Sequence, residues 1–128
     1  MSEVRSQPCS ACPYRLDVPS GVWAFTEYEK LRRYDEPTFD QPLAVFVCHA
    51  TPDHYCSGWA VCHTARGNEF DLLALRLAGS PTIPEISVEL FESGNDAADH
   101  GQLEIDHPTR ESIRVQHRLL RKYERLRK

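Results

Sequence analysis

Long apolar runs are missing from this sequence of 128 residues, in which the longest run, Leu43–Cys48, has six residues. A membrane-spanning helix needs about 20 consecutive apolar residues, so the sequence predicts no membrane partner. The first six residues also lack the apolar core of a secretory signal, which predicts a cytoplasmic protein. Structural disulfides are rare in that compartment, so the five cysteines need another explanation.

The sequence motifs of several common enzyme classes are missing as well. The chain contains no G-x-S-x-G, no Walker loop, no G-x-G-x-x-G and no H-E-x-x-H. Zinc deaminases use a P-C-x-x-C segment, which Pro8–Cys12 matches, but they also need a glutamate that follows neither Cys48-His49 nor Cys62-His63 at the required place. The sequence therefore predicts no catalytic residue and favours a protein that is not an enzyme.

Cysteines are present at spacings typical of metal sites. Cys9 and Cys12 form a C-x-x-C pair, which can turn two thiolates toward one ion in zinc and iron–sulfur sites. A second group contains Cys48-His49, Cys56 and Cys62-His63. Two clusters of soft ligands on one short chain predict a single metal site that joins them.

A tetrahedral site uses only four of these side chains. If Cys56 begins a helix, His63 lies about 10 Å further along the helix axis, too far away to bind the same ion. A thiolate at Cys56 is also favoured by the positive end of the helix dipole. We therefore predict four metal ligands, with His49 as the leading substitute and then Cys62 and His63; the four ligands are Cys9, Cys12, Cys48 and Cys56.

Three kinds of site compete for these cysteines. Structural Zn²⁺ ranks first, because it would tie the proline-rich N-terminal arm to the rest of the chain. An iron–sulfur cluster ranks second, since Pro13 follows Cys12 as in bacterial ferredoxins, and nearby aromatic residues could shield a cluster. A Cys9–Cys12 disulfide pair ranks last, because no strand precedes Cys9 as in thioredoxin-like sites.

The same residues carry a resemblance to a known family. The chain resembles small, uncharacterised cysteine-motif proteins of actinomycetes and their bacteriophages, a domain of unknown function, over about residues 8–77. The resemblance implies that the four cysteines belong to one motif, and that Arg15, Trp23 and Trp59 lie beside the ligands. The matching segments are C-x-x-C-P-[YW]-R at Cys9–Arg15, P-[SG]-G-x-W at Pro19–Trp23, C-H at Cys48-His49 and C-x-G-W at Cys56–Trp59.

The apolar patterning predicts a small α+β, metal-stapled domain with a short sheet, several short helices and a basic C-terminal helix. Leu43–Cys48, which is β-branched and aromatic, predicts a buried strand. Thr26 predicts a helix N-cap with Glu29 three residues later, and Asn95–His100 predicts one helical turn ended by Gly101. We divide the chain into the stapled domain, residues 1–107, and the helix packed on it, residues 108–128.

Charge is distributed unevenly along the chain. Residues 108–128 contain eight basic and two acidic residues, a net charge of +6, whereas the remainder contains seven basic and 17 acidic residues, a net charge of −10. We expect the last helix to dock on this acidic body, with nucleic acid or an acidic protein as the alternative partner of its exposed side. The predicted contact residues are Arg110, Arg114, Arg118, Arg121, Lys122 and Arg125.

These patterns predict a non-enzymatic, zinc-binding interaction module. An iron–sulfur protein with a redox or sensing role is the first alternative. A nucleic-acid-binding protein that uses its basic C-terminal helix is the second.

Overall fold

The computed structural model describes residues 3–48, 53–64 and 72–126. An irregular arm precedes the first helix, and the described helices are α1 (Phe25–Arg33), α2 (Ser57–Thr64), α3 (Leu73–Leu77), α4 (Gly94–Leu103) and α5 (Arg110–Leu126). A 3₁₀ turn, Thr38–Asp40, follows α1. None of these helices is long and apolar enough to cross a lipid bilayer.

The predicted α+β class is wrong, because the described part of the chain is mostly helical and contains no sheet. Its only β pairings are three isolated bridges, Val4–Tyr55, Arg15–Leu90 and Val47–Tyr55. The predicted strand Leu43–Cys48 makes a single antiparallel bridge, between Val47 and Tyr55. The pairing ends there because α2 begins two residues after Tyr55, at Ser57. Leu43 is 68% exposed, so the start of this apolar run is not buried either.

The metal staple that the predicted fold included is not a feature of the fold as described. Among residues 3–48, 53–64 and 72–126, no group of three or more His, Cys, Asp or Glu side chains is arranged to hold a metal ion. Backbone hydrogen bonds tie the arm down instead: the Arg5 amide donates to the Tyr55 carbonyl at 3.0 Å, and the Phe91 amide donates to the Tyr14 carbonyl at 2.9 Å. The arm therefore runs between two distant parts of the chain and is hydrogen-bonded to both.

Helices α1 and α4 form the tightest helix pair. Tyr28 and Leu31 of α1 are buried against a row of small residues on α4, which are Gly94, Ala97, Ala98 and Gly101. A Cβ added at Gly101 would lie 2.0 Å from the Tyr28 ring, and one at Gly94 would lie 2.1 Å from the Leu31 carbonyl oxygen. These two glycines let the helix backbones approach each other.

The local predictions for these two helices need correction. Helix α1 begins one residue before Thr26, with Ala24 at the N-cap and no side-chain cap. Helix α4 continues through Gly101 to Leu103 instead of ending there. Its N-terminus is capped by Ser93, whose hydroxyl accepts from the Asp96 amide at 3.0 Å.

Helix α5 docks through its apolar side. Val115 is buried against Ala11, Val18 and Val22 of the arm, with Leu119 packed beside it. Gln116 donates to the Gly21 carbonyl at 2.9 Å. Although charge attraction was the reason to expect docking, the observed contacts are apolar and amide-to-carbonyl.

Candidate metal site

The C-x-x-C segment forms a tight turn at the base of the site. The Cys12 amide donates to the Cys9 carbonyl at 3.0 Å, and the Arg15 amide donates to the Cys12 carbonyl at 3.1 Å. Such a turn brings the side chains of residues three apart to one side of the backbone. Both cysteines are buried in it.

The rung between Phe46–Cys48 and His54–Cys56 supplies the other two cysteines. The Cys48 amide donates to the His54 carbonyl, and the Cys56 amide donates to the Phe46 carbonyl, each at 2.8 Å. Because alternate residues of bridged segments face the same side, Cys48 and Cys56 share the inner face with Phe46, whereas Val47 points outward and is 44% exposed. One rung is enough to align two thiols.

The four predicted ligands come together as two pairs of thiols, which we call the cysteine cluster. The Sγ atoms of Cys12 and Cys56 are 3.7 Å apart, and the Cys9 thiol is hydrogen-bonded with that of Cys48. All four cysteines are free and buried. The structure thus brings the predicted residues to one place, in pairs rather than around a common centre.

Pairing and burial favour the protonated form of the Cys9 and Cys12 thiols. The pKa of Cys9 is raised by its hydrogen bond with Cys48 and then by burial, and the pKa of Cys12 is raised by its hydrogen bond with Cys56 and then by burial. Two adjacent thiolates would repel each other in this poorly solvated space. A divalent cation reverses that balance, because it attracts both thiolates at once.

Donors surround the cluster from two directions. The Trp59 amide donates to the Cys56 Sγ at 3.4 Å, so Cys56 acts as a sulfur N-cap for α2. The Arg5 guanidinium lies 3.9 Å from the Cys48 Sγ. Both groups thus direct N–H donors at sulfur atoms of the cluster.

Gly58 is the residue that allows α2 to approach the C-x-x-C turn. A Cβ at this position would lie 2.5 Å from the Cys12 Sγ and 3.0 Å from the Tyr14 Cβ. Glycine has a low helix propensity, yet α2 forms around Gly58. Its role is to make room for the Cys12 sulfur.

Arg15, Trp23 and Trp59 occupy different positions around the cluster. Arg15 donates to the Pro8 and Cys9 carbonyls at 3.4 and 3.5 Å, and the Trp23 indole donates to the Ala11 carbonyl at 2.8 Å, so both brace the turn. Trp59 is fully buried, and its indole N–H has no hydrogen-bond partner among the described residues.

The substitute ligands lie elsewhere or outside the described residues. The Cys62 thiol donates to the Phe91 carbonyl at 3.1 Å. The His63 ring is hydrogen-bonded to the Tyr14 hydroxyl, and its other nitrogen lies beside the Asp35 carboxylate. His49 falls in the part of the chain that the structure does not describe.

Sequence reasoning missed a buried polar network beside the cluster. The Tyr14 hydroxyl is 3.0 Å from His63 Nε2, and His63 Nδ1 is 3.4 Å from Asp35 Oδ1. A carboxylate only accepts hydrogen bonds, so the proton belongs on Nδ1 and Nε2 accepts from the Tyr14 hydroxyl. Asp35 also accepts from the Gly94 and Asn95 amides at 2.9 and 2.6 Å, which links the arm, α2 and α4.

We expect Tyr14→Phe to destabilise the protein by about 1–3 kcal/mol, because it leaves the buried Nε2 of His63 without its donor. Chemical denaturation with fluorescence detection measures the loss. Tyr55→Phe is the matched control, since Tyr55 is only partly buried and the same atom is removed. Equal effects for the two variants would contradict the importance of the network.

The predicted contact residues of α5 all lie on its exposed side. We call them the basic face, and each is exposed to solvent. Tyr123, on the opposite side of the helix, is close enough to Cys9 and Cys48 for their charges to raise its pKa, although burial contributes more. Tyr123 therefore lies on the side of α5 that is turned toward the cysteine cluster, and the cations lie on the other side. The basic face comprises Arg110, Arg114, Arg118, Arg121, Lys122 and Arg125.

Comparison with known proteins gives a family but no activity. Residues 4–118 match a family of unknown function, DUF6283. No curated protein and no solved structure matches the chain.

Proposed function

The chain belongs to DUF6283, a family of unknown function, and we propose from its cysteine cluster that it is a zinc-binding protein. In this proposal the thiolates of Cys9, Cys12, Cys48 and Cys56 hold one Zn²⁺. The observation that carries it is the meeting of four buried, free cysteines from a C-x-x-C turn and a separate β rung.

The spacing of the sulfur atoms supports this proposal. Two thiolates bound to one tetrahedral Zn²⁺ at about 2.3 Å stand about 3.8 Å apart, and the Cys12 and Cys56 Sγ atoms are 3.7 Å apart. Binding then requires the Cys9–Cys48 pair to close on the same centre. Attraction between Zn²⁺ and four thiolates would replace the weak thiol hydrogen bonds that now hold the pairs together.

A four-thiolate site suggests a structural rather than a catalytic ion. Four protein ligands complete the tetrahedron and leave no position for water or substrate. The ion would lie between the C-x-x-C turn and the start of α2. We therefore propose a non-enzymatic interaction module of the reducing cytoplasm, where free thiols persist.

Two further inferences concern the family. We infer that the four-part cysteine motif is its common feature and that its members come from actinomycetes and their bacteriophages. Members that lack two or more of the four cysteines would contradict the first inference. Members from unrelated hosts would contradict the second.

Metal analysis of protein purified without oxygen tests the proposal. We expect about one Zn²⁺ per chain, no visible absorbance, and loss of the ion in Cys56→Ser but not in Cys62→Ser. A brown protein with iron and sulfide would overturn zinc in favour of an iron–sulfur cluster. Failure of the purified chain to take up Zn²⁺ or Co²⁺ and the absence of iron would overturn metal binding altogether.

The pH dependence of stability gives an independent check. In the metal-free protein the pKa values of Cys9 and Cys12 are raised above the ordinary 9.0, so the native state keeps protons that the unfolded chain releases in alkali. The free energy of unfolding is therefore constant below about pH 8. Above pH 9 it decreases by about 1.4 kcal/mol per pH unit for each of the two thiols.

Zn²⁺ should remove this alkaline loss. The bound thiols are deprotonated in the native state, so raising the pH toward 9 strengthens metal binding instead of opposing folding. Thermal melts between pH 7 and pH 10, with chelator and with excess Zn²⁺, measure the two profiles. Parallel profiles in the two conditions would argue against thiolate ligation.

A further inference from the structure

The basic face of α5 has no acidic partner in the described part of the protein. None of its six side chains forms an ion pair with a described residue. The helix docks through Val115 and Gln116 on its other side, so the cations are not used to hold it in place. A surface of this charge density on a chain of net charge −4 needs another explanation.

The cations follow one side of the helix. At about 100° per residue, all six side chains fall within an arc of about 120°, and Val115 and Leu119 occupy the adjacent arc. Glu111 lies within the same arc at its N-terminal end, so positive charge is densest from Arg114 to Arg125. That stretch carries five cations over about 17 Å of helix.

A small cavity opens where this face meets the C-x-x-C turn. It has a volume of about 230 Å³, and Ser10 and Ala11 of the turn form one wall. Four cations border it: Arg118, Arg121, Lys122 and Arg125. Several cations around one concave space are typical of a site for phosphate groups.

We propose that the basic face binds the phosphate backbone of duplex nucleic acid, without reading its sequence. Charge complementarity carries this inference, because a duplex presents one negative charge for about every 1.7 Å of its axis. The remaining chain, at −10, repels phosphates and confines the contact to α5. This function is separate from metal binding.

Other anionic partners fit the same face less well. Single-stranded nucleic acid is held largely by stacking on aromatic side chains, and the one aromatic residue of α5, Tyr123, is partly buried on the opposite side. A membrane-bound amphipathic helix inserts its apolar side into lipid, but Val115 and Leu119 of α5 are already packed in a cluster with Val18 and Val22. Duplex nucleic acid requires only the exposed cations.

Fluorescence anisotropy of a labelled 20-base-pair DNA duplex, titrated with the full chain, tests the proposal. If five cations each neutralise one phosphate, the logarithm of the binding constant falls with the logarithm of salt concentration with a slope of about −4.5. Affinity should then fall by about 500-fold between 50 and 200 mM salt. No binding at 50 mM salt, or binding that salt does not weaken, would overturn the proposal.

Paired variants separate this face from general electrostatics. Arg118→Gln with Arg121→Gln should weaken binding by roughly tenfold or more and reduce the slope by about 1.8, because two phosphate contacts are lost. Lys30→Gln with Arg33→Gln on α1 removes the same charge and should change affinity by less than about threefold. Replacement of Arg118 and Arg121 by lysine should retain binding. Equal losses in the two glutamine variants would refute the assignment to α5.

The competing partners are tested under the same conditions. The single strand of the same sequence, phosphatidylserine vesicles and polyglutamate stand for the alternatives. Binding that is tightest to the duplex supports the proposal. Tighter binding to any of the other three would overturn it.

Discussion

Replacing Cys12 with serine should abolish zinc binding and unfold the arm or the whole domain. Cys12 is 1% exposed and belongs to the pair with the 3.7 Å sulfur separation. Structural zinc sites contribute on the order of 10 kcal/mol that is coupled to folding, and a hydroxyl is a poor replacement for a thiolate ligand. Thermal melts with and without chelator, together with metal analysis, measure the effect.

The comparison with chelator makes this prediction specific. Once the metal is removed, Cys12→Ser should differ from the parent protein by only about 1 kcal/mol, the typical cost of a modest change in a buried side chain. Cys62→Ala should cost about 1 kcal/mol in both conditions, because it trims a packed side chain that is not a proposed ligand. If Cys12→Ser melted at the same temperature as the parent protein in the presence of Zn²⁺, the zinc proposal would be contradicted.

Gly101→Ala should destabilise the protein by about 3 kcal/mol. The added methyl group would lie 2.0 Å from Cε1 and 2.2 Å from Cδ1 of Tyr28, so α1 and α4 must separate. The higher helix propensity of alanine, worth about 1 kcal/mol, offsets only part of this cost. Denaturation with urea, monitored by circular dichroism, measures the change.

Gly79→Ala is the matched control for this substitution. Gly79 follows α3 with a φ of 96°, and a Cβ there meets no atom within 4 Å. Only backbone strain remains, which we expect to cost about 1 kcal/mol. A Gly101→Ala variant as stable as Gly79→Ala would contradict the close packing of α1 on α4.

Local signals explain the predictions that depended on short stretches of chain. The periodicity and charge of residues 108–128 predicted a helix, and α5 occupies Arg110–Leu126. The spacing of Cys9 and Cys12 indicated a tight turn, and the hydrogen bond between their backbones forms one. In both cases the physical cause acts within a few residues, so the sequence contains it.

The predicted strand failed for the opposite reason. Leu43–Cys48 has the composition of a buried strand, but a strand needs partners, and their existence is a property of the whole fold. Only the rung at Val47 and Tyr55 forms. Likewise, the local sequence predicted that Gly101 ends a helix. The actual reason for the glycine is its close contact with the Tyr28 ring, and Tyr28 lies 73 residues earlier in the sequence.

By itself, the sequence determined the absence of long apolar runs, the C-x-x-C turn and the separation of a basic helix from an acidic body. Only the tertiary structure decided which thiols pair, since Cys12 and Cys56 are 44 residues apart. It also assembled Tyr14, His63 and Asp35 from three separate segments. Short-range spacing fixes backbone turns and helix faces, whereas contacts between distant residues depend on how the core packs as a whole.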